Sequence, residues 1–250
     1  MIYNVRIKVF PDGTKQYLYC EEAKTRDFKR ALAELPDAYL DEELDEETEP
    51  DTELESKNER DVFGECAKRA RQRVWDIARA NDWDYFFTLT LDPAKVDRFD
   101  YSAVVEELKA FTRSLHHYGC DWLIVPEQHK SGAWHFHGLL RGNPPVKLAK
   151  VLKDGTCLYN FENYDLGFTS LSRVKDSQSV ATYLTKYLTK EMVVPKGRKR
   201  YWASRGLNLP RFVYSEMRSD MLTGLMVKAD FRKKLQSPYG DFWLLEVHSK

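Results

Sequence analysis

Apolar side chains fall at every odd position of Tyr85-Phe86-Phe87-Thr88-Leu89-Thr90-Leu91, and the run stops at Asp92-Pro93. A two-residue period rich in aromatic residues predicts a β-strand, and the proline marks its end. Val104, Val105, Leu108, Phe111 and Leu115 recur at helical spacing, which predicts an amphipathic helix over 101–117. Trp122–His129 and Ala133–Leu140 are two further strands joined by a turn at Lys130-Ser131-Gly132, with Pro126 marking an edge or a bulge. Residues 64–81 predict a basic helix carrying Lys68, Arg69, Arg71, Gln72 and Arg73. A helix is expected over 145–153 and a strand over 167–172. A second amphipathic helix is expected over 176–191, capped by Asp176 or Ser177.

The termini read differently. Residues 2–9 alternate apolar and polar, Pro11-Asp12-Gly13-Thr14 signals a turn, and Gln16–Tyr19 returns, so residues 1–20 predict a β-hairpin. A lone hairpin is marginal in water and is expected to pack on the main domain. Residues 21–33 could form a short helix, and 241–248 a terminal strand. The resulting division is 1–33 for the hairpin and short helix, 34–60 for a linker, 61–220 for the main domain and 221–250 for a C-terminal extension. Strands alternate with helices around a central hairpin. The predicted class is therefore α+β, a mainly antiparallel sheet with helices on one face.

Charge changes this picture. The 250 residues carry 39 basic and 39 acidic side chains, but twelve acids and no Lys or Arg lie within 34–55. Without that block, 27 acidic residues face 39 basic ones. The acidic run predicts a disordered linker, and the basic remainder suits a polyanionic ligand such as nucleic acid. The four cysteines are scattered with no CxxC pair, as expected of free thiols in a reducing cytoplasm. No signal pattern or long apolar run is present, so neither export nor a membrane partner is expected.

Candidate chemistry starts at His135-Phe136-His137. On a strand, i and i+2 share a face, so both imidazoles project together. In the preceding hairpin, a loop of odd length (130–134 or 131–133) places 127 opposite 137 and 129 opposite 135, on that same face. A loop of two or four residues turns Glu127 away. The odd loop with a central glycine is the expected one. Glu127, His135 and His137 would then hold a divalent cation, Mg2+ or Mn2+, and the mixed donors also suit Zn2+, Co2+ or Ni2+. His129 is a rival third ligand. Taken alone, the His pair is compatible with ordinary strand residues.

The second element is Tyr183-Leu184-Thr185-Lys186-Tyr187-Leu188-Thr189-Lys190. Tyr183, Lys186, Tyr187 and Lys190 share a helical sector of about 100°, while Ala181, Leu184 and Leu188 can bury elsewhere. By itself this also describes a surface helix with snorkelling side chains. A phenol is a poor nucleophile near neutral pH, and the lysines would favour its phenolate and the charge on a phosphate. Beside a cation, such a tyrosine can attack a phosphodiester and retain it as phosphotyrosine.

These motifs resemble those of the His-hydrophobic-His (HUH) endonucleases that initiate rolling-circle replication of phages and plasmids. Phe87-Thr88-Leu89-Thr90 is similar to the family's first motif, Glu127 with His135-Phe136-His137 to the metal motif, and the Tyr183–Lys190 run to the catalytic motif. The paired tyrosines resemble the gene A type, and the surroundings the gene II type. The resemblance covers roughly residues 60–210. It implies an RRM-like (ferredoxin-like) sheet and a divalent metal. It also implies nicking of single-stranded or extruded origin DNA through a 5′-phosphotyrosine, which leaves a free 3′-OH. Tyr183, Tyr187, Lys186 and Lys190 would be the catalytic residues, a host helicase and DNA polymerase the partners, and the cytoplasm of a bacterial host the location.

The segment 196–205 is basic with interleaved aromatics. Lys196, Arg198, Lys199, Arg200, Trp202 and Arg205 are the expected DNA contacts, extended by Arg211 and Arg218. An exposed basic loop of no special role is the plain alternative. Two other readings of the whole chain compete. One is a non-catalytic single-stranded nucleic-acid-binding module on an RRM-like sheet. The other is a metal-dependent hydrolase in which water attacks and the tyrosines only bind.

Overall fold

A computed structural model describes residues 3–20, 57–188, 195, 198–237 and 240–249. In chain order the elements are β1 (Val5–Val9), β2 (Lys15–Cys20), α1 (Lys57–Arg79), β3 (Tyr85–Leu91), α2 (Tyr101–His117), β4 (Asp121–Gln128), β5 (Trp134–Arg141) and β6 (Val146–Val151). They continue as β7 (Cys157–Phe161), β8 (Gly167–Arg173), α3 (Ser177–Lys186), β9 (Trp202–Ala203), β10 (Arg211–Ser215), α4 (Ser219–Lys228), β11 (Phe231–Ser237) and β12 (Gly240–Val247). The fold is α+β, and its strands form two antiparallel sheets among the described residues.

The chain divides into two compact units. One holds the described residues up to Glu65 and those from Asn208 onward; the other is Cys66–Leu207. The first unit is a sheet of order β10-β1-β2-β12-β11. The predicted N-terminal hairpin forms, but strands from the far end of the chain complete it. β10 pairs with β1 from Val5↔Ser215 to Val9↔Arg211, and β12 pairs with β2. Helix α4 supplies Leu222 to a core with Val5, Tyr19, Ala229 and Leu245. Five strands and a helix give the hairpin the apolar cover that two strands lack. The second unit accordingly ends at Leu207 rather than at 220, because Arg211–Ser215 belongs to the other sheet. Residues 21–33 and 34–56 lie outside the described residues, and the last positions of the expected linker are already helical in α1.

The second unit carries a sheet of order β6-β7-β8-β3-β5-β4-β9. β3, α2 and β4 form a split β-α-β unit, with β5 inserted between two parallel strands. The span 145–153, expected as a helix, is strand β6 instead. It pairs with β7 through a turn at Gly155 (φ 82°), and a bulge at Leu148/Lys150 absorbs the mismatch. That hairpin occupies the place of the second crossover helix in a β-α-β-β-α-β plan.

Helices cover both faces, not one. Tyr85, Phe87, Leu89 and Leu91 are buried on the α2 side, where Phe111 packs edge-on against Phe161 with ring centres 5.1 Å apart. Val104, Val105, Leu108, Phe111 and Leu115 are buried as their spacing predicts, each contributing on the order of 1.5–3 kcal/mol. Asp100 caps α2 by accepting from Ser102 N at 2.8 Å. The other face of β3 presents Phe86, Thr88 and Thr90, and α3 lies on that side with Tyr183 and Tyr187 against Phe86.

Candidate active site

Register builds the site. Glu127 on β4 lies opposite His135 on β5, and Val125 opposite His137. The hairpin loop is odd, as expected, but the pairing is shifted by two residues from the predicted Glu127–His137 register. A two-residue shift preserves parity, so Glu127, His135 and His137 do share a face. Strand β3 runs along the other edge of β5, setting Thr88 beside His137 and Thr90 beside His135. Glu127 Oε2 lies 2.7 Å from His137 Nε2. Thr88 Oγ1 lies 3.0 Å from His137 Nδ1, and Thr90 Oγ1 3.4 Å from His135 Nδ1. His129 sits at the turn with its ring centre 5.8 Å from that of His135.

Helix α3 brings the tyrosines onto this face. Asp176 caps it by accepting from Ser179 N at 2.6 Å. Buried Ala181 and Leu184, with Leu188 just beyond the helix, anchor it. The helix ends at Lys186, and Tyr187 is its C-cap, so it is shorter than the predicted 176–191. The Tyr187 ring stacks on His137 at 3.6 Å and 12°. Tyr187 Oη donates to Tyr183 Oη at 2.8 Å. Lys186 is exposed in the last turn, whereas Lys190 lies outside the described residues.

The electrostatics are specific. The hydrogen bond from His137 holds the Glu127 carboxyl below its usual range, against a smaller opposing effect of burial. Burial lowers His135, partly offset by Glu127. Tyr187 is pushed up, first by burial, then by its hydrogen bond to Tyr183, and also by the charge on Glu127. The surroundings of Tyr187 thus favour the neutral phenol.

Two imidazoles and a carboxylate on one face form a donor set that fits a divalent cation in kind. Each imidazole has a threonine hydroxyl near Nδ1, the supporting contact that orients metal-binding histidines. Among the described residues, however, no three His, Cys, Asp or Glu side chains gather tightly enough to hold an ion as they stand. Glu127 and His137 satisfy each other, and a cation would have to replace the proton between them.

Residues 84–192 match the model of a replication-associated protein family, that of ORF2 and the gene 2 protein. The match covers less than half of the 250 residues, but it includes Glu127, His135, His137, Tyr183 and Tyr187. This similarity is consistent with a replication-initiator role. No curated protein and no solved structure matches the chain.

The segment expected to contact DNA lies elsewhere, beyond the matched span. Trp202 pairs with Ile124 at the β4 edge, and its ring packs against Phe136 and Tyr101 on the α2 face, opposite the histidines. Arg198 donates to Ser102 Oγ at 2.9 Å, and the Lys199 carbonyl accepts from Tyr101 Oη at 2.6 Å. Burial lowers the Arg200 guanidinium, and Arg205 is exposed. Lys196 lies outside the described residues. The structure therefore does not gather these residues around the tyrosines. What surrounds the tyrosines is a groove of about 610 Å³ lined by Phe86, Thr88, Ser170, Ser172, Lys175 and Tyr183, among others. Sequence reasoning assigned no role to Thr88, Thr90 or Phe86, although the even positions of β3 could have signalled them.

Proposed function

We propose that the chain is a replication initiator of the nicking-and-joining kind, acting on single-stranded or extruded origin DNA. The observation that carries this reading is the stack of Tyr187 on His137 with the Tyr183 hydroxyl 2.8 Å away. It sets two candidate nucleophiles against the cluster of imidazole and carboxylate on that face. In the reaction, a tyrosine Oη bonds to phosphorus as the P–O3′ bond breaks. The phenolic proton ends on the leaving oxygen, giving a free 3′-OH and a 5′-phosphotyrosine. A Mg2+ or Mn2+ held by Glu127, His135 and His137 would polarise the phosphoryl oxygens. The chain's own part is orientation: Thr88 and Thr90 fix the imidazoles, and Phe86 packs against both tyrosine rings. Lys186 would offset charge on the phosphate. A second tyrosine allows the strand to be passed on and rejoined. A host helicase and polymerase would use the exposed 3′-OH, in the cytoplasm of the host. Among the described residues no helix is long and apolar enough to cross a membrane.

One observation favours a second reading, a non-catalytic single-strand-binding module: Glu127 and His137 are mutually satisfied, and Tyr187 is disfavoured as a phenolate. The test is a denaturing gel of the full chain with labelled single-stranded DNA and Mn2+. Wild type is compared with Tyr183→Phe, Tyr187→Phe and the double variant. A metal-dependent covalent band that disappears in the double variant is expected. Tight binding with no band on any strand of its replicon would favour the second reading, and a cleavage product that survives the double variant would indicate attack by water.

A further inference from the structure

We propose that Phe168 is a stacking platform for an unpaired base of the DNA strand whose phosphodiester meets the tyrosine pair. The inference rests on the nicking reading for its substrate, but on separate residues for its geometry. Phe168 is 62% exposed on strand β8, while Thr169 and Leu171 of the same strand are buried. Its face is fixed by register. Phe168 lies opposite Thr90, Thr90 opposite His135, and His135 opposite Glu127, one row across four strands. With neighbouring strands about 4.8 Å apart, the ring stands roughly 10 Å from His135 on the candidate active face.

The position is rigid. A Cβ at Gly167 would lie 2.2 Å from the Thr90 carbonyl oxygen and 2.7 Å from Asp92 N, so glycine alone allows β8 this close to β3. Asp92 N also donates to the Leu166 carbonyl at 2.8 Å. The register that sets Phe168 beside Thr90 is thereby locked on both sides of Gly167.

Chemistry selects the occupant. The next row on this face is Ser170, Thr88 and His137, and the groove lined by Thr88, Ser170, Ser172 and Tyr183 continues it. One aromatic ring beside small hydroxyls is a poor fit to an apolar protein surface. It suits a nucleotide strand, whose sugar-phosphate accepts hydrogen bonds from hydroxyls while a base offers a flat face to the ring.

The test uses the full chain as Tyr183→Phe/Tyr187→Phe, with DNA single strands tiling its own replicon and 2-aminopurine walked along each. Quenching confined to one position is expected, lost in Phe168→Ala and restored in Phe168→Trp. Affinity should fall by roughly 5- to 150-fold in Phe168→Ala. An unchanged quenching profile and affinity in Phe168→Ala, or full restoration by Phe168→Leu, would overturn the stacking role. The covalent band is read in parallel with the tyrosines intact. A band without Phe168-dependent quenching removes only the platform, and Phe168-dependent quenching without a band removes only the nicking chemistry. Because the ring is exposed, Phe168→Ala should melt like its parent, which separates loss of stacking from loss of fold.

Discussion

Thr88→Val tests the support of the imidazoles most directly. It removes the hydroxyl 3.0 Å from His137 Nδ1 and nearly preserves side-chain volume. His137 is only 7% exposed, so little water can replace the lost partner. Removing the group that orients a metal-binding histidine typically weakens binding 10- to 100-fold, or about 1.4–2.7 kcal/mol. Thr90→Val acts on a contact of 3.4 Å, near the outer limit of a hydrogen bond, and should cost less. Isothermal titration of each protein with Mn2+ gives the affinities, and the Mn2+ dependence of the covalent band gives the consequence. Thr88→Val should need more Mn2+ for half-maximal adduct yet approach the same yield at saturation. Mn2+ affinity equal to wild type in Thr88→Val, or a larger loss in Thr90→Val, would refute the assignment of Thr88 as the residue that holds the ring.

Three further outcomes are expected. Glu127 has a lowered folded pKa, so its contribution to stability is present above the ordinary carboxylate range and is lost as pH falls through the folded value. In metal-free protein, urea midpoints measured from about pH 5 to 3 should drop less for Glu127→Gln than for wild type, and equal slopes would contradict this. Tyr187 has a raised folded pKa, so the stability its neutral phenol contributes is kept below the ordinary tyrosine value and lost as pH rises beyond it. The phenolate absorbance that Tyr187→Phe removes should titrate above about 10 in metal-free protein, and a component below that value would show the opposite environment. Gly138→Ala would place a Cβ 2.4 Å from Phe87 Cζ and 2.9 Å from the Leu123 carbonyl oxygen, so thermal unfolding should show a loss of about 1–3 kcal/mol. Wild-type stability in Gly138→Ala would mean that the core at Phe87 yields freely.

Period and parity made the site's strands legible. The alternation in 85–91 and the two-residue spacing of the histidines survive any even shift of register, so Glu127 reached the right face although its partner was misplaced by two positions. Local signals did not distinguish a six-residue strand from a short helix at Val146–Val151, where pairing with β7 decided the outcome. The basic segment failed for a different reason. Composition reports charge and aromatic content but not direction, and Trp202 points to the α2 face because β9 pairs with β4. The completed N-terminal sheet was beyond local reading, since β1 finds β10 about 200 residues away in sequence.

The two faces of β3 carry different burdens. On the α2 side, Phe87, Leu89, Phe136 and Leu171 are buried to within 1% exposure, and this packing holds the strands together. On the other side, Thr88, Thr90, Glu127 and His137 place polar groups where burial carries a penalty unless each is paired. They are paired: Thr88 and Glu127 satisfy the two ring nitrogens of His137. A sheet that needed this face only for stability could use apolar residues there, as its opposite face does. Replacing the exposed Tyr183 hydroxyl or the partly exposed Glu127 should therefore leave the apolar core intact, and a change in DNA chemistry in those variants would then report on the site.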